Sequence, residues 1–233
     1  PYTTLFRSVR LGRDEALGTT TWRLANGATV IFKHTAFQAD EILLEAFSPG
    51  GTSVVEDAAF VPAITATALQ RRSGLGEHDA LALLRLLTGR KADVEAYIGS
   101  LHEGLRGVAG RADLELLLQQ VHLLFTAPRF DAAALELERA RREEDLRNRS
   151  ASPASWLWDA YSELLWQGNH RYTNWKLDDL QALDLEASRR VFRDRFSTAG
   201  DWTFVFVGSA LEAELLPLVE TWIGSLRDAG RRE

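Results

Sequence analysis

The 233-residue chain contains no cysteine and no methionine. Without cysteine there is no disulfide scaffold, no thiolate zinc site and no cysteine nucleophile. The redox compartment stays open, because a cysteine-free chain suits cytosol and periplasm alike. No apolar run approaches the roughly 20 residues needed to cross a bilayer. The formal charge of −6 gives no electrostatic reason to expect nucleic acid or an anionic membrane as partner. Lysine occurs only as Lys33, Lys91 and Lys176 against many arginines, a usage that points to a GC-rich bacterial source. The motifs G-x-S-x-G, G-x-x-x-x-G-K-[ST] and G-x-G-x-x-G are all missing, which removes the serine-hydrolase elbow and the two glycine-rich phosphate loops. What remains is ordinary globular composition, 45% hydrophobic and 26% charged, long enough for one large domain with a real core.

The ends read differently from the middle. Methionine is absent even at position 1, so the chain is expected to be a piece of a longer product. Residues 1–8, Pro1-Tyr2-Thr3-Thr4-Leu5-Phe6-Arg7-Ser8, have neither a signal-peptide layout nor a helical or strand period. They resemble the translation of a common sequencing-adapter oligonucleotide and are expected to be an assembly artefact. Residues 9–19 are mixed and polar and read as a linker, 20–228 as a single α+β domain, and 229–233 as a linker remnant.

Within the domain, Asn26-Gly27 between Thr20–Leu24 and Ala28–His34 is a strong hairpin signal, with a type I′ turn expected because both residues tolerate positive φ. A third strand, Glu41–Ser48, stops at Pro49-Gly50-Gly51. Asp57 opens a helix to about Ser73 with Phe60, Ile64, Thr67 and Ala68 on its stripe, ended by Gly74. A short helix over Asp79–Leu87 precedes strands Asp93–Ile98 and Ser100–Val108, joined at Gly99. Leu114, Leu117, Leu118, Val121 and Phe125 form a 3.6-residue stripe on a helix opened by Asp113 and closed by Pro128. Charged helix Ala132–Arg149 pairs Glu138 with Arg142 and Glu143 with Arg147 at the favourable i,i+4 spacing. Helices Pro153–Trp166 and Glu186–Phe196, a sixth strand Trp202–Val207 and a helix Glu212–Leu226 complete the reading. The fold class is α+β, a mainly antiparallel sheet of about five to six strands covered on one face by helices.

Candidate chemistry is sparse. Zinc hydrolysis needs H-E-x-x-H or the inverted H-x-x-E-H, and neither occurs. His102-Glu103-Gly104-Leu105-Arg106 has Arg in place of the second histidine. In a strand its first and fifth residues would lie about 13 Å apart, too far to share an ion. His78 has Ala82 at i+4. His122, among Leu118, Val121 and Phe125, reads as a satisfied core-edge histidine. His34 and His170 fall at a strand end and in a loop; His170-Arg171-Tyr172 could bind a carboxylate or simply be exposed loop. Gly74-Leu75-Gly76 is weak evidence for a nucleotide. Glu77 with Asp79, and Glu143 with Glu144, are carboxylate pairs of the kind found on solvated helices. Trp156, Trp158, Trp166 and Trp175 are best explained by helical packing, with a ligand platform as the other reading. These residues supply no catalytic constellation, so catalytic, metal and substrate-binding residues are left unassigned.

The order of segments carries more. Trp22-Arg23-Leu24-Ala25-Asn26-Gly27-Ala28-Thr29-Val30 resembles the opening L-x-N-G-x-x-V hairpin of insulinase/pitrilysin (inverzincin) family zinc metallopeptidase domains. Phe47-Ser48-Pro49-Gly50-Gly51 is similar to the strand end that follows it. Gly104-Leu105-Arg106-Gly107, then Asp113-Leu114-Glu115 with Leu123-Leu124-Phe125-Thr126-Ala127-Pro128-Arg129, is similar to the middle of such a domain. Asp201-Trp202-Thr203-Phe204-Val205-Phe206-Val207-Gly208 and Leu215–Leu226 resemble its close. The resemblance runs in order from Thr20 to Arg227. It implies a domain of the insulinase/mitochondrial-processing-peptidase type, one of several arranged as two halves around a closed chamber. The zinc motif's place on helix Ala58–Arg72 is taken by Ala63-Ile64-Thr65-Ala66-Thr67, so the catalytic residues do not carry over. The departure resembles the non-catalytic first domain of the C-terminal half. By that resemblance the domain holds no cofactor, zinc sits in the catalytic domain of the full-length protein, and the partners are the catalytic half or a partner subunit and an enclosed peptide. Export to the periplasm is favoured, with cytoplasm open. Two other readings stand: an inactive partner or assembly subunit of the same fold, and an unrelated hydrolase using scattered carboxylates.

Overall fold

The computed structural model describes residues 8–172, 174–228 and 230. It is α+β, built on one mostly antiparallel sheet of seven strands, one more than the upper expectation. The strands are β1 (Ser8–Asp14), β2 (Thr19–Leu24), β3 (Thr29–His34), β4 (Ile42–Pro49), β5 (Ala92–Ile98), β6 (His102–Ala109) and β7 (Thr203–Gly208), in the order β1-β2-β3-β7-β4-β6-β5. The helices are α1 (Phe60–Ser73), α2 (Ala80–Leu87), α3 (Leu114–Thr126), α4 (Ala132–Ser150), α5 (Pro153–Trp166), α6 (Leu185–Phe196) and α7 (Glu212–Trp222). A 3₁₀ segment, Leu177–Ala182, lies in a stretch where no element was expected.

The additional strand is β1. It pairs antiparallel with β2 from Ser8↔Leu24 to Asp14↔Thr19, with a bulge between Arg10 and Gly12. Most of the stretch 9–19, expected as a linker, is therefore sheet edge and turn. Its side chains are mostly exposed, so the backbone ladder carries most of its attachment and no apolar alternation betrays it. Ser8 is tied into the domain through its amide and hydroxyl, which donate to Glu220 at 3.1 and 2.6 Å. The rest of the segment expected as an artefact, residues 1–7, lies outside the described residues, as do 229 and 231–233 of the expected linker remnant.

The β2–β3 hairpin is present with a different turn from the one expected. Only Gly27 takes a positive φ, at 90°, while Asn26 does not. The Gly27 amide donates to the Leu24 carbonyl at 3.0 Å and the Leu24 amide to the Ala28 carbonyl at 2.9 Å. The loop thus spans Ala25–Gly27, a three-residue turn with glycine in the left-handed position. Asn26 uses its side chain instead, donating from Nδ2 to the carbonyls of Ile223 and Leu226 at 2.8 and 3.0 Å just past α7. Helix α7 accordingly ends at Trp222 rather than running on to Leu226.

One face of the sheet carries the core. Alternate residues of β2, β4 and β7 are buried, and Val30, Ile42, Ala46, Leu105, Phe204 and Phe206 have exposures of 4% or less. Helices α1, α3, α6 and α7 supply Ala66, Leu117, Leu118, Val121, Phe192, Phe196 and Leu215 against them. Phe125, Phe196, Trp202 and Phe204 form a ring cluster with centroids 5.0–6.3 Å apart, within the range where aromatic pairs attract. Among the described residues, the other face carries no such layer: Leu43 and Phe47 stay 49% and 41% exposed.

Candidate functional site

Helix α1 is where the zinc motif would stand, and packing sets what it can hold. Its buried stripe is Ala63, Ala66 and Leu69, each 0% exposed, and not the expected Ile64, Thr67 and Ala68, which are half-buried. Ala66 belongs to the core formed with the sheet, and α6 packs on a neighbouring face of α1, where Ser188 Oγ stands 3.3 Å from Thr65 Oγ1. Alanine fills the buried face without standing out as a hydrophobic stripe, so hydrophobicity alone misjudges which face is buried. Zinc requires imidazole, thiolate or carboxylate donors. Ala63 and Ala66 offer none, and Thr67 offers only a hydroxyl. Residues 63–67 therefore do not fit the ion.

The nearby buried carboxylate is engaged as well. Glu138 of α4 is 0% exposed and accepts from Arg142 Nε at 2.6 Å, Arg72 Nε at 2.9 Å and Arg141 Nη2 at 3.4 Å. Burial pushes its carboxyl up, and the guanidiniums of Arg142, Arg141 and Arg72 together outweigh that and hold it below the usual range. Among the described residues, no group of three or more His, Asp or Glu side chains is gathered as a metal site would require.

The remaining candidates are dispersed. His34 Nδ1 lies 2.8 Å from the Ala210 carbonyl, and His122 Nδ1 lies 2.9 Å from that of Trp222, a core-edge placement as expected. His78 is exposed beside the α2 N-cap, where Asp79 accepts from the Ala82 amide. His102 sits edge-on to Tyr97 on β6. His170 is half-exposed, 3.7 Å from Asp57 and edge-on to Phe60. Arg171 cannot serve an incoming carboxylate, because it is a latch. It donates to the carbonyls of Thr52 and Val55 at 2.7 and 2.6 Å and to Asp57 Oδ1 at 2.6 and 2.9 Å. That hydrogen bonding holds Asp57 below the usual carboxylate range. A cavity of about 210 Å³ beside the latch is lined by Phe60, Ile64, Ile98, Leu101 and Tyr172 among others. Glu143 pairs with Arg147 at 2.5 Å, the spacing expected for a solvated helix.

Sequence reasoning missed two arrangements. Glu103, 0% exposed, accepts from the Gly51 amide at 2.7 Å and stands 3.9 Å from Arg195 Nη1, fastening β6 to the end of β4 and to α6. Its partner is 92 positions away, so no local pattern could reveal it. The second is the uncovered sheet face. Phe47↔Gly104↔Tyr97 and Glu45↔Arg106↔Glu95 lie there as cross-strand rows. Tyr97 donates to Glu45 at 2.8 Å, Arg106 stacks 4.4 Å over the Tyr97 ring, and Arg106 Nε lies 3.3 Å from Glu45. Burial, then Glu45, pushes the Tyr97 phenol up to about 12. Gly104 is required beneath the ring, since a Cβ there would meet Tyr97 at 2.3 Å and the Ala46 carbonyl at 2.5 Å. Among the described residues, no group of three or more potential metal donors is gathered on this polar-aromatic face.

No family model matches the sequence. Among curated proteins, the chain is 24% identical over 213 residues to one described as a zinc protease PQQL-like of Arabidopsis thaliana, covering 90% of this chain and 20% of that protein. Its fold matches the periplasmic protease PqqL of Escherichia coli with a TM-score of 0.82 and 18% identity, over 98% of this chain and 25% of that one. It also matches a peptidase M16 inactive domain from Pseudomonas fluorescens, with a TM-score of 0.71 and 18% identity, over 93% of this chain and 53% of that one. The chain spans about a fifth of the length of the curated relative it matches. Sequence and fold thus set it beside the insulinase/pitrilysin (peptidase M16) zinc peptidases.

Proposed function

We propose that this chain is a non-catalytic, substrate-enclosing domain of a bacterial zinc metalloendopeptidase of the insulinase/pitrilysin type. Zinc and the hydrolytic residues reside elsewhere in the whole protein, and this domain takes no cofactor. The observation that carries the reading is the pair of fully buried alanines, Ala63 and Ala66, at the motif position of an otherwise intact domain. Its part is architectural: the helix layer holds the shape, and the uncovered sheet face, with Phe47, Tyr97 and Arg106, forms chamber wall against which an unfolded peptide lies. The arginine-rich composition supports a bacterial source, and the periplasmic address in the name of PqqL supports a periplasmic one.

A second reading is an inactive partner subunit, favoured by the solved chain called an inactive domain. Coding sequence for H-x-x-E-H on the same polypeptide selects the first reading, and its absence selects the second. The functional test is peptide cleavage. The 233-residue chain alone is expected to cleave no unfolded peptide with or without added zinc, and to raise cleavage when added to the zinc-bearing half. Turnover by the chain alone would overturn both readings.

A further inference from the structure

Helix α5 is inside out with respect to its own domain. Its 14 residues include none that is buried. The stripe turned toward the rest of the domain is polar: Ser155, Asp159 and Ser162, at helical spacing, are the half-buried residues. Asp159 makes the attachment, accepting from Arg149 Nε of α4 at 3.0 Å and from Asn174 at 2.7 Å. The opposite arc is apolar and faces water. Trp156, Leu157, Trp158, Tyr161, Leu164 and Leu165 are 69%, 64%, 64%, 50%, 81% and 53% exposed. Trp158 and Tyr161 stack at 5.3 Å, which presents them as one flat plate. A helix normally turns its apolar stripe to the core and its polar one to solvent. This helix does the reverse.

The outward apolar surface is on the order of 900 Å², with each aromatic ring supplying a large part. That exceeds the roughly 300–600 Å² patch of an ordinary monomer. It matches the roughly 800 Å² that one partner gives to a standard interface. No charged side chain interrupts the arc, since Asp159 faces inward and Glu163 lies at its flank 3.7 Å from Lys176. An anionic surface or nucleic acid has nothing to bind there. The solved inactive domain is a chain of which this one covers 53%, so this fold occurs joined to about as much polypeptide again.

We infer that α5 is the docking face for the adjoining module of the same polypeptide, an apolar surface that covers Trp156, Trp158 and Leu164. The inference rests on the reading of this chain as one domain of a larger peptidase. The test uses the 233-residue chain and, as probe, the separately produced adjoining module, with affinity read by calorimetry and assembly by sedimentation. The expected result is a one-to-one complex that Trp156→Glu with Leu164→Glu weakens on the order of 100-fold, as for central aromatic anchors. The variant keeps the circular dichroism and melting temperature of the parent, since these side chains support nothing within the domain. Unchanged affinity in the variant overturns the inference and leaves the peptidase reading intact. A parent chain that forms a dimer lost in the variant overturns it in favour of a second copy. Cleavage of peptide by the chain alone sinks the peptidase reading, whatever the α5 result.

Discussion

Glu138 sits where four charges meet: its own carboxylate, buried at 0%, and the guanidiniums of Arg72, Arg141 and Arg142, which are 31%, 49% and 21% exposed. A buried carboxylate is tolerated only when paired, and removing one partner leaves the others uncompensated. Glu138→Ala is expected to destabilise the chain by about 2–4 kcal/mol, the lower end applying because the guanidiniums still reach water. Chemical denaturation with urea measures it. The pH sign follows from the direction of the shift. A carboxyl held lower in the folded chain than its ordinary 4.5 adds stability at pH above that value, and the stability is lost as pH falls through the folded value. The melting temperature should therefore drop below about pH 4.5, and less steeply in Glu138→Gln. A slope unchanged by that substitution would assign the acid sensitivity to other carboxylates, such as Asp57 beside Arg171. The i,i+4 spacing of Glu138 and Arg142 was readable in the sequence, whereas the approach of Arg72 from α1 was not, because 66 residues separate the two.

Helix α1 shows why an element's existence is easier to read than its facing. The helix at Phe60–Ser73 was legible from its amphipathic pattern and its terminal glycine. Which stripe it buries, Ala63, Ala66 and Leu69, depended on the tertiary packing around it, including the sheet core that Ala66 joins. Restoring two letters of the motif, as Ala63→His with Ala66→Glu, is expected to give no stoichiometric zinc in equilibrium dialysis. The second histidine, at the place of Thr67, and the distant third ligand with its supporting shell are still missing, and the larger side chains have no room where Ala63 and Ala66 are fully buried. Overpacking of this kind costs about 1–3 kcal/mol, so the melting temperature of the double variant falls. Tight one-to-one zinc would refute the argument. Helix α5 is the same lesson inverted: its boundaries matched expectation at Pro153–Trp166, but its aromatic residues, expected to pack as core, point to solvent.

At the scale of the whole molecule, the sheet is closed by its last strand. β7 lies between β3 and β4, parallel to one from Thr29↔Thr203 to His34↔Gly208 and antiparallel to the other from Ile42↔Gly208 to Phe47↔Thr203. Without it, β3 and β4 lose their shared neighbour and Phe204 and Phe206 leave the core. Truncation after Gly200 is therefore expected to abolish the cooperative thermal transition. A truncated chain that still melts sharply would mean that the sheet halves are independent. Pairing positions some 170 residues apart also predicts slow folding, because loop closure precedes the reward.

The sequence by itself determined the local vocabulary: the hairpin at Asn26-Gly27, the long helices with their caps and charge pairs, the α+β class, and the loss of imidazole and carboxylate from residues 63–67. These follow from backbone preferences and from periodicities that operate over a few residues. Tertiary structure alone decided that residues 8–14 add an edge strand, that β7 enters the middle of the sheet, that Glu103 meets Arg195, and that α5 turns its tryptophans outward. Each of those outcomes joins groups distant along the chain, where the deciding quantity is which surface is left for burial, and no local pattern encodes that.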